Sequence, residues 1–84
     1  MNKKQRQTLN RIFEKSERSD IPWPNIESLF IALGAEISEG KGSRVRVALN
    51  DVRAVFHRPH PDRITNKGTV KSVRRFLQEA GVEP

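Results

Sequence analysis

Between Arg44 and His57 the chain alternates strictly. Val45, Val47 and Leu49 alternate with Arg44, Arg46 and Ala48; Val52, Ala54 and Phe56 alternate with Arg53, Val55 and His57. A period of two marks half-buried β-strands. The alternation breaks once, at Asn50-Asp51, a pair suited to a two-residue hairpin turn. A turn of that length fixes the pairing: Leu49 faces Val52, Val47 faces Ala54 and Val45 faces Phe56, all on one face. The opposite face then pairs Ala48 with Arg53, Arg46 with Val55, and Arg44 with His57. Directly opposed residues have Cβ atoms about 4.5–5.5 Å apart, so Arg44 and His57 are predicted neighbours. A one-residue slip would bury the arginines, which argues for this register.

The other elements follow from helical spacing and breakers. Leu9, Ile12 and Phe13 place a short amphipathic helix within residues 3–15, with Lys3, Lys4, Arg6 and Arg11 on its solvated face. Ser16 to Asp20 reads as a polar connector. Ile21-Pro22-Trp23-Pro24 begins extended, because a residue before proline avoids the α region. Pro24 suits the first turn of a second helix. Ile26, Leu29, Phe30 and Leu33 form its apolar stripe, and Gly34 its C-terminal cap. Trp23 reads as a core plug at that helix start rather than a base-stacking platform. Residues 35–39 form a candidate first strand, ended by Gly40-Lys41-Gly42. After the hairpin, His57 to Pro61 is an extended, proline-braced exit and Asp62 to Asn66 a loop. Val70, Val73, Phe76 and Leu77 define a last helix from about Gly68 to Gly81, with Lys67, Lys71 and Arg74 as a basic stripe. The expected fold class is α+β. A three-stranded antiparallel sheet is covered on one face by the two helices at 24–33 and 68–80, because its apolar face needs a cover. Residues 1–20 form an N-terminal helical extension to a domain spanning 21–84.

Composition narrows the partners. Eighty-four residues make one small domain, with no room for a dinucleotide-binding module and no cofactor expected. Sixteen Lys and Arg against ten Asp and Glu leave a net charge of +6. Such a basic domain favours polyanions: RNA, DNA, an anionic membrane surface or an acidic protein. A membrane surface fits poorly, because the apolar helix faces are needed for the core. No run of 18 apolar residues exists, and MNKKQRQTLN lacks the apolar core of a secretory signal, so a cytoplasmic location is expected. There is no cysteine, and the two histidines lack paired carboxylates, so no metal site is expected.

The polar residues suit phosphodiester chemistry. RNA cleavage needs a base for the 2′-hydroxyl proton, charge stabilisation at phosphorus, and an acid for the leaving oxygen. Histidine suits the first and third roles. Arginine stays charged, so Arg44 is a poor base but a good phosphate clamp. His57, opposite it, is the candidate base or acid. His60, between two prolines, either takes a catalytic part or braces the loop through a hydrogen bond. Ser43 lacks a nucleophile's partners; Gly42-Ser43 reads instead as a close backbone approach to phosphate or to the neighbouring strand. Candidate RNA contacts are Ser43, Arg46, Arg53, Arg58, Lys67, Lys71 and Arg74. Their blander reading is solubility, and an acidic protein could cover the same surface.

The segments "LGAEISEGKGSRVRV" and "FHRPHPDRITNKGTVKSVRRFLQEAGV" resemble the HicA toxin family, the likeness covering about residues 21–82. Three features carry it: Gly42-Ser43 before the second strand, His60 after the third, and Gly68-Thr69 opening the last helix eight and nine residues further on. The resemblance implies an α-β-β-β-α fold similar to a double-stranded-RNA-binding domain. It also implies a ribosome-independent mRNA interferase neutralised by a HicB antitoxin, with the N-terminal helix outside the usual family core. The family pattern continues Gly-Ser with a catalytic histidine, and this chain has Arg44 there. The catalytic assignment does not transfer at that position. A non-catalytic RNA-binding module of the same fold is the alternative.

Overall fold

The computed structural model describes residues 1–14 and 20–84. The expected connector, apart from Asp20, lies outside the described residues. The elements run α1 (Lys3–Ile12), β1 (Ile21–Pro22), α2 (Trp23–Ala32), β2 (Glu36–Glu39), β3 (Arg44–Leu49), β4 (Val52–His57), β5 (Ile64–Thr65) and α3 (Lys67–Glu79). Strands β2, β3 and β4 form an antiparallel sheet in that order, and its register is the one the alternation predicts, with Arg44 opposite His57 and Leu49 opposite Val52.

The hairpin turn explains why register holds. Asn50 and Asp51 adopt φ of 48° and 67°, the double left-handed conformation of a type I′ turn, whose twist matches that of the flanking strands. The Asn50 side-chain amide donates to the Ala80 carbonyl at 2.8 Å, so the turn also holds the end of α3.

Each helix starts on chemistry visible in its sequence. Asn2 and Gln5 form a reciprocal capping box at α1, both bonds at 2.8 Å. Helix α2 has no side-chain cap; Pro22 is its N-cap residue and Pro24 lies in its first turn, which the fixed φ of proline suits. Asn66 accepts from the Thr69 N–H at 2.8 Å, which starts α3 at Lys67, one residue before the expected position.

One expectation fails. The stretch 62–66 is not wholly loop, because Ile64-Thr65 pairs antiparallel with Ile21-Pro22, Ile21 opposite Thr65. The Trp23 N–H extends this ladder to the Arg63 carbonyl at 2.7 Å. Two-residue strands are too short to show a period, which is why alternation did not reveal them.

The core lies between the inner sheet face and the helices. Val45, Val47, Leu49 and Phe56 from the sheet meet Trp23, Ile26, Leu29 and Phe30 from α2 and Val70, Val73, Phe76 and Leu77 from α3. Leu9 and Ile12 of α1 belong to the same cluster, so the N-terminal helix packs on the core rather than standing off it. Trp23, Phe30, Phe56 and Phe76 form one aromatic group, with ring centroids 5.7 to 6.3 Å apart. At 3% exposure Trp23 is a core plug, unable to stack on a base. Burying each large side chain contributes about 1.5–3 kcal/mol, so this group helps fasten the sheet to the helices.

Candidate nucleic-acid interface

Arg44 and His57 stand at one end of the β3–β4 pair, both exposed. The ladder continues one step past them: the Arg58 N–H donates to the Ser43 carbonyl at 2.9 Å. On the other side of Arg44 the β2–β3 turn is tight. The Gly40 N–H donates to the Arg44 carbonyl at 2.9 Å, and a Cβ on Gly40 would lie 3.0 Å from the Arg44 Cβ and 3.2 Å from its carbonyl oxygen. Of the backbone approaches expected at Gly42-Ser43, the one to the neighbouring strand is made by the Ser43 carbonyl, while the tight packing against Arg44 falls to Gly40. A Cβ on Gly42 would meet nothing within 4 Å; glycine serves there through its φ of 66°.

His57 also borders a cleft of about 330 Å³ between the edge of β4 and the start of α3, lined by Val55, Phe56, Asn66, Gly68, Thr69 and Ser72. The first turn of α3 has no acidic residue. Its N-terminal dipole favours an anion, as does the exposed Lys67. Asn66 already occupies the Thr69 N–H, and the Ser72 hydroxyl donates to the Gly68 carbonyl at 3.1 Å. Lys71 is exposed one turn further along.

Arg46 and Arg53 lie on the outer sheet face, along a shallow groove of about 640 Å³ shared with Glu36, Ser38 and Val55. The Arg46 Nη1 donates to the Glu39 carbonyl at 3.2 Å, and Val55 is 56% exposed. The cationic residues thus divide between this face and the α3 end, with Arg44 and His57 at the sheet end.

Besides Arg46, two more of the expected contacts have internal partners. Arg58 lies against the carboxylates of Glu27 and Glu39, at 2.7 and 2.6 Å. These carboxylates hold its guanidinium further above its ordinary pKa, and the Arg58 hydrogen bond holds the Glu39 carboxyl below its own. Arg74 turns away from Lys67 and Lys71, donating from Nε to the Ile12 carbonyl at 2.7 Å and from Nη2 to the Glu14 carbonyl at 3.1 Å. It closes the end of α1, so the basic stripe is shorter than helical spacing implied. His60 is exposed in the exit, before a cis peptide bond to Pro61. Glu27 and Glu39 escaped the sequence reading, since no local pattern ties either to Arg58. Among the described residues no group of three or more His, Cys, Asp or Glu is gathered to hold a metal ion, and no helix is long and apolar enough to cross a membrane.

Fold and site together describe a small α+β domain with a fold like that of a double-stranded-RNA-binding domain, with an arginine–histidine pair at the end of its sheet. The family described as the HicA toxin of bacterial toxin-antitoxin systems matches residues 23–82. The chain belongs to the HicA toxin family; it is a toxin-type component of a toxin–antitoxin system, which implies an antitoxin partner. No curated protein and no solved structure matches it.

Proposed function

We propose that this chain binds mRNA and cleaves it in the cytoplasm, so blocking translation, and that a HicB-like antitoxin neutralises it. The observation that carries this reading is the in-register opposition of Arg44 and His57 beside the cleft at the start of α3. His57 takes the proton of a 2′-hydroxyl. That oxygen attacks the adjacent phosphorus, and the bond from phosphorus to the 5′-oxygen breaks. Arg44 clamps the phosphate and stabilises the charge gathering on it. His60 gives the leaving oxygen its proton. Lys67 and Lys71 hold the flanking backbone from α3, and Ser43, Arg46 and Arg53 from the sheet.

The test is incubation of the purified chain with RNA in a chelating buffer, beside the same RNA carrying a 2′-deoxy sugar at the cut site. Cleavage of the first alone, with a cyclic phosphate end, is the expected result. His57→Ala is expected to lower the rate by about 10²-fold or more, while RNA affinity holds. Unchanged cleavage in that variant removes His57 from the mechanism. A second reading, binding without cleavage, is favoured by Arg44 standing where the family has a histidine. RNA retained intact by the wild-type chain supports it.

A further inference from the structure

Arg58 is well placed by sequence to touch RNA, next to His57 and in a basic stretch. Most of its donors are already used. Nε and Nη2 donate to the two oxygens of Glu27 at 2.7 and 3.1 Å, and Nη1 and Nη2 donate to those of Glu39 at 2.6 and 2.8 Å. Four of its five N–H groups are engaged, in two bidentate forks, and no fork remains for a phosphate. The local charge is also wrong for an anion, since one cation faces two carboxylates.

The same forks join three separate parts of the fold. Glu27 belongs to α2 and Glu39 ends β2. Glu27 is fixed from behind, because Oε2 also accepts from the indole N–H of Trp23, which sits in the aromatic core. The Arg58 backbone N–H holds the Ser43 carbonyl at 2.9 Å. One residue therefore ties the last step of β4 to the start of β3, to the far end of β2 and, through Glu27, to the core. His57 precedes it directly, and His60 follows two residues later.

We infer that Arg58 is a positioning residue: its two carboxylate forks set the direction in which the chain leaves β4, and so set His57 and His60 relative to Arg44. It contacts no RNA. This inference rests on the cleavage reading for its effect on rate, but not for its effect on the imidazoles.

The test compares wild type with Arg58→Lys and Glu39→Gln. Lysine keeps the charge but cannot make two planar forks. Glu39 is more than half exposed, so Glu39→Gln weakens one fork with little risk to folding. Three readouts are taken on the chain without added partner. The first is the NMR spectrum of the His57 and His60 imidazoles in the absence of RNA. The second is RNA affinity against salt concentration. The third is single-turnover cleavage at saturating RNA. Both variants are expected to shift the imidazole signals, and Arg58→Lys to slow cleavage by about tenfold or more, since small misplacements at a reacting centre are costly. The salt slope is expected to stay at the wild-type value in both. Unmoved imidazole signals in two folded variants overturn the inference. Arg58→Gln, which removes the cation, is expected to leave the slope unchanged as well, and a slope lower by about 0.7 in that variant overturns the inference too, because that is the change expected when one phosphate contact is lost from single-stranded RNA. If the wild-type chain does not cleave, the cleavage reading falls, and the imidazole spectra still decide whether Arg58 positions the two histidines.

Discussion

Replacing Asp51 by glycine is expected to stabilise the protein, and replacing Asn50 by glycine to destabilise it, although both residues share one turn and both have positive φ. At Asp51 the φ of 67° is one that a side chain resists, by about 1 kcal/mol or somewhat more. Glycine removes that cost but adds unfolded-chain entropy of about 0.5–1 kcal/mol. Asp51 is exposed, and the turn type itself prefers glycine in its second position, so the balance is a gain of about 0.5 kcal/mol. At Asn50 the backbone relief is smaller, because asparagine tolerates this conformation best among residues with a side chain. The glycine there also loses the 2.8 Å bond from the Asn50 amide to the Ala80 carbonyl at the end of α3. A bond of that kind contributes about 0.5–1.5 kcal/mol, so Asn50→Gly ends about 1 kcal/mol below wild type. Together the two variants differ by about 1.5 kcal/mol, or roughly 6–12 °C in melting temperature for a chain of this size. Thermal melts and urea titrations at equal protein concentration measure this, with the urea slope unchanged in both if the folded and unfolded states keep their compactness. Asn50→Gly melting as high as Asp51→Gly refutes the reasoning, because the bond to Ala80 would then contribute nothing. Asp51→Gly melting well below wild type refutes the assignment of the turn.

The ion pair at Glu39 has a sign that can be checked. Its carboxyl is held below the usual 4.5 by the Arg58 hydrogen bond, so its contribution is present above that pH and is lost as pH falls through the lowered folded value. Glu39→Gln is therefore expected to flatten the acid limb of a stability-versus-pH curve below 4.5 and to leave the slope at neutral pH alone; an acid limb identical to wild type counts against the pair. Arg74→Gln removes the bonds to the Ile12 and Glu14 carbonyls and is expected to cost about 1–2 kcal/mol. Amide exchange at Leu9 and Ile12 is expected to rise more than exchange in β3, and equal effects in both would show that α1 is not held locally by this arginine. Lys71→Gln, on the exposed side of α3, is expected to lower the salt slope of RNA binding by about 0.7 with no change in melting temperature, and an unchanged slope takes Lys71 out of the interface.

The hairpin was legible because three signals agree on it: alternation, a turn pair able to take positive φ, and the cost of burying arginines under any other register. The same agreement made Arg44 and His57 neighbours on paper and in the fold. Helices α2 and α3 were legible from their apolar stripes and from Gly34 and Gly81 beyond their ends. The β1–β5 pair was not, since Ile21-Pro22 and Ile64-Thr65 acquire strand character only from each other. Charged side chains were the least legible. Arg46, Arg58 and Arg74 look alike in the sequence, each basic and near apolar neighbours. The fold gives Arg58 two carboxylates from α2 and β2, gives Arg74 the open carbonyls at the end of α1, and leaves Arg46 on the outer face. A cation's role is set by which distant acceptors arrive beside it, and spacing along one helix or strand holds no record of those.

On the proposed cleavage mechanism, the arginine at position 44 changes less chemistry than its identity suggests. The resemblance implies a histidine there, at the first residue of β3, whereas this chain has a histidine at the last residue of β4. Those two positions are the terminal pair of the ladder, so their Cβ atoms stand about 4.5–5.5 Å apart on one face. An imidazole on either strand is placed to reach a phosphate held between them, and the guanidinium opposite supplies a permanent positive charge. The backbone beneath the pair is constrained from both sides, by Gly40 against Arg44 and by the Arg58 N–H on the Ser43 carbonyl. Moving the imidazole across the ladder therefore needs no change in the fold. On the proposed mechanism the site keeps one imidazole and one permanent cation at the end of the sheet, and the cleft at the start of α3 borders His57, the proposed base.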